Sequence, residues 1–347
     1  MDTEALSERV MERNGRYRKE LEDWYRSWLV DGYAERAAKL WKRDYSSVDA
    51  YERSVGPNRE RWRGILNPPD LVVSGPLEVE PLGWQGCPQA SFVRLPLGER
   101  LRAEGILAVP ESKGPVPLIV TQHGIDSPPE YVFGMLDPEG AYNSYARILV
   151  EAGFAVLAPM NLCTKPLRNR VSRLARLANI SLPGIELVRM QRLLDVVLKD
   201  PKIASDRVGF WGLSLGGMAA QFWGPLEPRF KAIISAGWFN DRLRKMVIPD
   251  PRYGCFLDSQ EEYVFLPGWL TEFSESDAIS LICPRPFMSQ TGKADNISWF
   301  PYVVEEFADV KRHYDRLGIA DRCVLDLHEG GHETCIDTGI AWLRKWV

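Results

Sequence analysis

Apolar side chains near the start of the chain recur at helical spacing within a highly charged segment. This segment covers residues 1 to about 66, and a second short helix is predicted within it over Ala34 to Lys42. The break at Asn67-Pro68-Pro69-Asp70 ends the pattern. The apolar stripe of the first helix consists of Tyr17, Leu21, Trp24 and Trp28. We expect residues 1–66 to form a helical extension whose stripe packs on the rest of the chain or in a homodimer.

From residue 71 onward, short apolar runs alternate with helical patterns. The first two runs flank a turn at Pro96 to Arg100 and predict a hairpin of strands 90–95 and 101–109. Further strands are predicted over 117–121, 154–158, 208–211, 232–236, 286–290 and 323–327, and helices over 142–151, 184–199, 216–223, 302–317 and 339–346. This alternation predicts an α/β fold in residues 67–347, with a mostly parallel sheet covered by helices on both faces.

Two long connections interrupt this alternation, at about 162–182 and 241–282. Both follow strands at the carboxyl edge of the predicted sheet, where open α/β folds bind their ligands. We therefore expect these insertions to form a lid or the walls of a pocket.

Composition and charge exclude several classes of protein. The formal net charge of −4 gives no reason to expect binding to nucleic acid or to an anionic membrane. The N-terminus lacks the apolar core of a secretory signal, and no apolar run reaches the length of a membrane span. The six cysteines are scattered without a CxxC pair. We expect free thiols in a cytoplasmic protein without metal or cofactor.

The strongest chemical signal is Gly212-Leu213-Ser214-Leu215-Gly216-Gly217, which lies between a predicted strand and a predicted helix. A strand, a sharp turn and a helix form the setting of a nucleophile elbow. Glycines flank Ser214 because a side chain at either position would clash in so tight a turn. The helix that begins at the serine directs its N-terminal amides at the site, which favours negative charge there. Ser214 is thus the candidate nucleophile.

A serine hydroxyl needs a neighbouring base, and the chain has only four histidines. His332 lies between the last strand and the last helix, where a loop can bring its imidazole over the serine. His328 is the weaker candidate because it can still belong to the strand. His313 is expected to be a solvated residue on a helix, and His123 a structural residue of its loop.

The base in turn needs an acid that fixes its tautomer. Asp295 follows the penultimate predicted strand, so that serine, acid and histidine occur in the order typical of this elbow. Asp241, after the preceding strand, is the rival. Chain order favours Asp295.

Attack on a carbonyl creates an oxyanion, which requires preorganised N–H donors. The backbone amide of Leu215, directly after the nucleophile, is one candidate. The second is expected from the loop after strand 117–121, where Ile125 is the first choice and Gly124 the alternative. Three aromatic residues follow strands at the carboxyl edge and are candidates for substrate contact, or equally for the core: Trp238, Phe239 and Trp299.

Together these motifs resemble the acetyl xylan esterase-like and dienelactone hydrolase-like branch of the α/β hydrolases, from about residue 70 to the end. The resemblance rests on the hairpin, on Gln122-His123-Gly124, on residues 205–209 leading into the Ser214 elbow, on Gly292 with Asp295, on His332, and on residues 317–322. It implies an eight-stranded, mostly parallel sheet and hydrolysis of a carboxylic ester through an acyl-enzyme.

The resemblance has three departures. Dienelactone hydrolases proper use a cysteine nucleophile, whereas the candidate here is Ser214. Carbohydrate esterases of this type are often exported, whereas no secretory signal is recognised in this sequence. The helical extension is not part of the minimal fold. A prolyl-oligopeptidase-type peptidase is unlike this chain because residues 1–66 cannot form a propeller. The substrate expected is a small or carbohydrate-linked ester. The alternatives on the same residues are acyl transfer, hydrolysis of a C–C bond, and a hydrolase-fold binding protein that has lost catalysis.

Overall fold

A computed structural model describes residues 2–347, and its centre is one sheet of nine strands in the order β1-β2-β3-β5-β4-β6-β7-β8-β9. The first three strands and their junction with β5 are antiparallel. All pairs from β5 through β4 to β9 are parallel. The carboxyl ends of these six neighbouring strands therefore meet at one edge, with β6 near the middle.

The strands are β1 (Glu78–Pro81), β2 (Ala90–Leu97), β3 (Leu101–Ala108), β4 (Val116–Gln122), β5 (Ala155–Pro159), β6 (Ile203–Leu213), β7 (Phe230–Ala236), β8 (Phe287–Gly292) and β9 (Cys323–His328). The helices are α1 (Thr3–Arg26), α2 (Tyr33–Leu40), α3 (Val48–Ser54), α4 (Gly56–Leu66), α5 (Pro129–Val132), α6 (Tyr145–Glu151), α7 (Lys165–Leu177), α8 (Leu182–Val197), α9 (Leu215–Trp223), α10 (Arg242–Val247), α11 (Trp269–Glu272), α12 (Glu275–Ser280), α13 (Phe300–Arg316) and α14 (Ile336–Trp346). A π-helical turn, Ser27–Asp31, links α1 to α2. Within residues 2–347, no helix combines the length and the apolar character that crossing a membrane requires.

The predicted α/β architecture is confirmed, and all eight strands expected from the sequence are present. The expected count of eight strands is wrong, because β1 adds a ninth at the edge of the sheet. All four residues of β1 are exposed. The strand therefore lacks the alternation of buried and exposed residues by which a strand is recognised in a sequence.

Two apolar cores cover the two faces of the sheet. Successive side chains of β6 belong to different cores: Phe210 lies in the core on one face and Trp211 in the core on the other. This division follows from the alternation of side chains along a strand. The central strand is thus buried on both sides, and its carboxyl end is held rigidly.

The N-terminal extension is only partly anchored in this core. Trp41 and Trp62 are buried in the same core as the sheet, and the Trp62 Nε1–H donates to the Phe222 carbonyl at 3.1 Å. Helix α1, in contrast, has no buried residue. The predicted stripe, which runs along α1 into the π-helical turn, has exposed fractions of 64 % for Tyr17, 51 % for Leu21, 58 % for Trp24 and 40 % for Trp28.

The expectation that this stripe packs on the same chain is therefore wrong. Exposed salt bridges one turn apart along α1 each add a little stability to the helix, without tertiary burial. Its end is tied to the rest of the chain by the Arg26 Nε–H, which donates to the Val247 carbonyl at 2.9 Å. A homodimer formed through the stripe stays a prediction, as does the division of the chain at residue 66.

Replacing Trp62 with alanine is predicted to lower the free energy of unfolding by about 3–5 kcal/mol, because it empties a fully buried site and leaves a carbonyl unpaired. Trp24→Ala is the matched control, since an exposed tryptophan leaves no cavity, and its effect should stay within about 0.5 kcal/mol. Chemical denaturation of both variants measures the difference. Equal effects of the two substitutions would contradict this packing.

Candidate active site

The backbone around Ser214 forms a tight turn at the carboxyl edge of the sheet. Ser214 has φ +60° and ψ −115°, a conformation that few non-glycine residues adopt, and its N–H donates to the Ala236 carbonyl at 2.8 Å. A Cβ on Gly212 would lie 2.2 Å from the Gly216 carbonyl oxygen, and one on Gly216 would lie 2.1 Å from the Gln122 carbonyl oxygen. The glycine requirement inferred from the sequence is confirmed.

His332 and Asp295 form a hydrogen-bonded pair beside this turn. The His332 Nδ1 lies 2.8 Å from the Asp295 Oδ2, and the Ile297 N–H donates to the other carboxylate oxygen at 3.0 Å. The Asp295 side chain is 1 % exposed, whereas that of His332 is 26 % exposed. The carboxylate is thus buried with both oxygens bonded, and the imidazole reaches the surface of the cavity that Ser214 also lines.

This pair depends on close packing between the loops that follow β8 and β9. The Lys293 N–H donates to the His328 carbonyl at 2.8 Å and the Ala294 N–H to the Gly330 carbonyl at 3.0 Å. A Cβ on Gly292 would lie 2.1 Å from the Gly331 carbonyl oxygen, so only glycine permits the approach. Because parallel neighbours β8 and β9 end together, their two loops bring the acid and the imidazole within bonding distance.

Asp241 and His328, the alternative candidates for the acid and the base, make other contacts. The Asp241 Oδ1 accepts the Arg244 N–H at 3.0 Å and so caps α10. His328 is the last residue of β9, and its Nδ1 accepts the Gly330 N–H at 3.2 Å.

His313 is half-buried rather than solvated, so that expectation is wrong. Its Nδ1 lies 2.7 Å from the Tyr45 hydroxyl, which belongs to the extension. Burial, with a smaller effect from neighbouring arginines, lowers its pKa to about 3. The extension covers this helix face, and the sequence of the helix alone did not reveal that.

Two residues that line the cavity beside Ser214 have backbone amides without a partner in the described part of the chain. Leu215 begins α9, and within residues 2–347 neither its N–H nor that of Ile125 has a hydrogen-bond acceptor. The Gly124 N–H, in contrast, donates to the Tyr142 hydroxyl at 2.5 Å. Both free amides belong to residues that line the cavity beside Ser214. The geometry therefore favours Ile125 over Gly124 as the second donor to an oxyanion.

His123 holds the loop that carries Ile125. Its Nδ1–H donates to the Gly124 carbonyl at 2.9 Å, while its Nε2 accepts the Asn161 N–H at 3.1 Å. Burial lowers the pKa of this imidazole to about 4, so it is neutral at physiological pH. With both nitrogens bonded in the core, His123 has the structural role expected from the sequence.

A cavity of about 440 Å³ opens in front of Ser214 and His332. Trp238 lies on its wall, and the Trp238 Nε1–H donates to the Gln221 Oε1 at 2.7 Å. Phe239 lies instead in the core, edge-to-face against Phe307, and the interpretation of it as a substrate contact is wrong. Trp299 is also outside the lining, beside Phe300 and Arg252.

Both insertions contribute to the cavity wall. The first begins α7 with Lys165, and the second supplies Lys245, Phe256, Glu261 and Tyr263. The insertions meet in a polar seam, where the Asn169 side chain donates to the Gln260 carbonyl at 2.6 Å and Arg173 pairs with Glu262. None of these residues stood out in the sequence, because charged residues in long loops are normally solvated.

The sheet order and the elbow define the fold as that of the α/β hydrolases. The chain resembles a Bacteroides fragilis protein, provisionally named an acetyl xylan esterase, at a TM-score of 0.62 and 18 % identity, over 86 % of this chain and 80 % of the other. It also resembles a glucuronoyl esterase of carbohydrate esterase family 15 from Caldicellulosiruptor kristjansonii, at a TM-score of 0.58 and 15 % identity, over 86 % of both chains. At such identities the likeness is one of fold.

By sequence, the chain is 27 % identical over 157 residues to YtaP of Bacillus subtilis, which is named provisionally as a hydrolase. This match covers 44 % of the present chain and spans only half of the length of YtaP. No family model matches the chain.

Asp295→Asn is predicted to lower ester turnover by up to about 10⁴, as the corresponding exchange does in serine proteases, because an amide stabilises the wrong imidazole tautomer. Asp241→Asn is the matched control. Asparagine also caps helices well, so this variant should stay within a few-fold of the unmodified protein. Steady-state kinetics on a chromogenic ester measure both. An active Asp295→Asn beside an inactive Asp241→Asn would transfer the role to Asp241.

Proposed function

We propose that the protein is a serine esterase in which Ser214 is the nucleophile, His332 the general base and Asp295 the acid that orients it. The observation that carries this proposal is the 2.8 Å contact between His332 Nδ1 and Asp295 Oδ2, at the edge of the cavity that Ser214 lines. The contact leaves Nε2 as the nitrogen that can take a proton from the serine.

In the first half of the reaction the Ser214 Oγ attacks the ester carbonyl carbon and its proton moves to the His332 Nε2. Asp295 holds the Nδ1–H and stabilises the imidazolium that forms. The amides of Leu215 and Ile125 donate to the oxyanion, and the position of Leu215 at the start of α9 adds the favourable helix dipole. Collapse of the intermediate breaks the ester C–O bond, and His332 returns the proton to the departing alcohol.

In the second half a water molecule attacks the acyl-serine. His332 takes a proton from this water, the acyl C–Oγ bond breaks, and the proton returns to Ser214 as the acid product leaves. Water must therefore reach the acyl carbon. The lining supports this because it combines polar groups such as Ser127 and Asn240 with the apolar Trp238 and Phe256.

We further propose that the substrate is a small or carbohydrate-linked ester. A cavity of about 440 Å³ is at the lower end of the size range of small-molecule sites. Acetyl xylan and glucuronoyl esterases are named among the structures with the same fold, and both act on esters of sugars by those names. No observation favours acyl transfer or C–C bond hydrolysis over this function.

Ser214→Ala is predicted to reduce hydrolysis of 4-nitrophenyl acetate to the background rate, since the substitution removes the hydroxyl that attacks the carbonyl. Losses on the order of 10⁶ accompany this change in serine proteases. Circular dichroism and thermal unfolding check that the variant is folded. Esterase activity in a folded Ser214→Ala above a trace of the original rate would refute the proposal, as would an unmodified protein that cleaves none of a series of 4-nitrophenyl esters.

A further inference from the structure

A buried lysine on the cavity wall forms no ion pair within residues 2–347. Lys245 belongs to α10, is 5 % exposed and lines the same cavity as Ser214 and His332. Its Nζ donates to two carbonyl groups, those of Gly254 at 3.0 Å and of Ile297. Within residues 2–347, no carboxylate lies within ion-pair distance of this ammonium group.

The other charged groups of the lining are already matched or exposed. The Lys165 Nζ lies 3.6 Å from the Glu261 Oε1, and Lys165 is 40 % exposed. Asp137 is exposed. Arg242, behind Lys245, forms a fully buried pair with Glu275 at 2.7 Å. Lys245 is therefore the buried lysine of the lining that forms no ion pair with a described residue, and Asp295 and Glu261 attract its charge only from beyond ion-pair distance.

Burial of an ammonium group is costly unless its donors and its charge are matched. Two of the three N–H donors of Lys245 serve the carbonyls, which leaves one for another acceptor. Burial and, to a smaller degree, the charge of Arg242 lower the pKa of Lys245 to about 8, so the group is mainly protonated at neutral pH. A carboxylate would satisfy the third donor and neutralise the charge together.

We propose that Lys245 is a specificity-determining residue that binds a carboxylate on the substrate, so that the preferred substrates are anionic esters. This inference rests on the proposed esterase function and narrows its substrate class. Ser298 and Asn240 line the same cavity and are hydrogen-bonded to each other at 2.8 Å, so additional polar contacts are available to the same group.

The test compares two pairs of esters at neutral pH. In the first pair the charge is on the acyl side: the mono-4-nitrophenyl ester of glutarate against 4-nitrophenyl pentanoate. In the second it is on the alcohol side: 3-acetoxybenzoate against 3-methylphenyl acetate. We expect kcat/KM to favour the anionic member of at least one pair by about tenfold or more, the range expected of a hydrogen bond to a charged group.

Lys245→Met is expected to abolish that preference, chiefly through KM of the anionic ester. Lys165→Met is the matched control and should keep the ratio within about twofold, because Lys165 is paired with Glu261. If Lys245→Met does not fold, Lys245→Gln removes the charge but keeps an N–H donor for the two carbonyls. A merely structural role would lower kcat/KM of both members of a pair equally.

The inference is overturned if neither anionic ester is preferred, or if a folded Lys245 variant keeps the preference. In either case hydrolysis of the neutral esters that still depends on Ser214 would leave the proposed function intact. Absence of turnover of all four esters would refute the function and the inference together.

Discussion

The hydrogen bond between His332 and Asp295 depends on backbone packing as much as on the two side chains. It joins loops that leave the neighbouring strands β8 and β9, and the approach of those loops requires Gly292. The same rule governs the proposed nucleophile, since Ser214 adopts φ +60° only because Gly212 and Gly216 permit contacts that a Cβ would prevent. The rigid carboxyl edge of the sheet thus positions all three groups before any ligand arrives.

Around this edge of the sheet, the two long insertions contribute much of the wall of the cavity. The insertions that form its far wall meet through polar contacts such as Asn169 with the Gln260 carbonyl, and Arg173 of this seam is largely exposed. Such contacts contribute little to stability. The proposed catalytic groups are therefore positioned by the sheet, whereas the proposed choice of substrate depends on groups such as Lys245 that the insertions supply.

The fold and the candidate site differ in how far the sequence predicts them. Strand periodicity, the glycines around Ser214 and the chain order of Asp295 and His332 are local signals, and each predicts a position that the structure reproduces. The sequence did not predict the environments of Phe239 and Lys245, because distant segments create them. Phe239 was a candidate for substrate contact, but it packs against Phe307 in the core. Lys245 was not singled out, and its ammonium group donates to the carbonyls of Gly254 and Ile297. The stripe of α1 follows helical periodicity, but periodicity does not identify the surface that would cover it.

The central claim is that Ser214 is an activated nucleophile, and covalent labelling tests it most directly. The protein is incubated with a fluorophosphonate, its intact mass is measured, and the modified residue is located by peptide mapping. The account predicts a single adduct on Ser214, which is absent in Ser214→Ala and formed much more slowly in His332→Ala. A folded protein that gains no adduct, or gains it at another residue, would contradict the account.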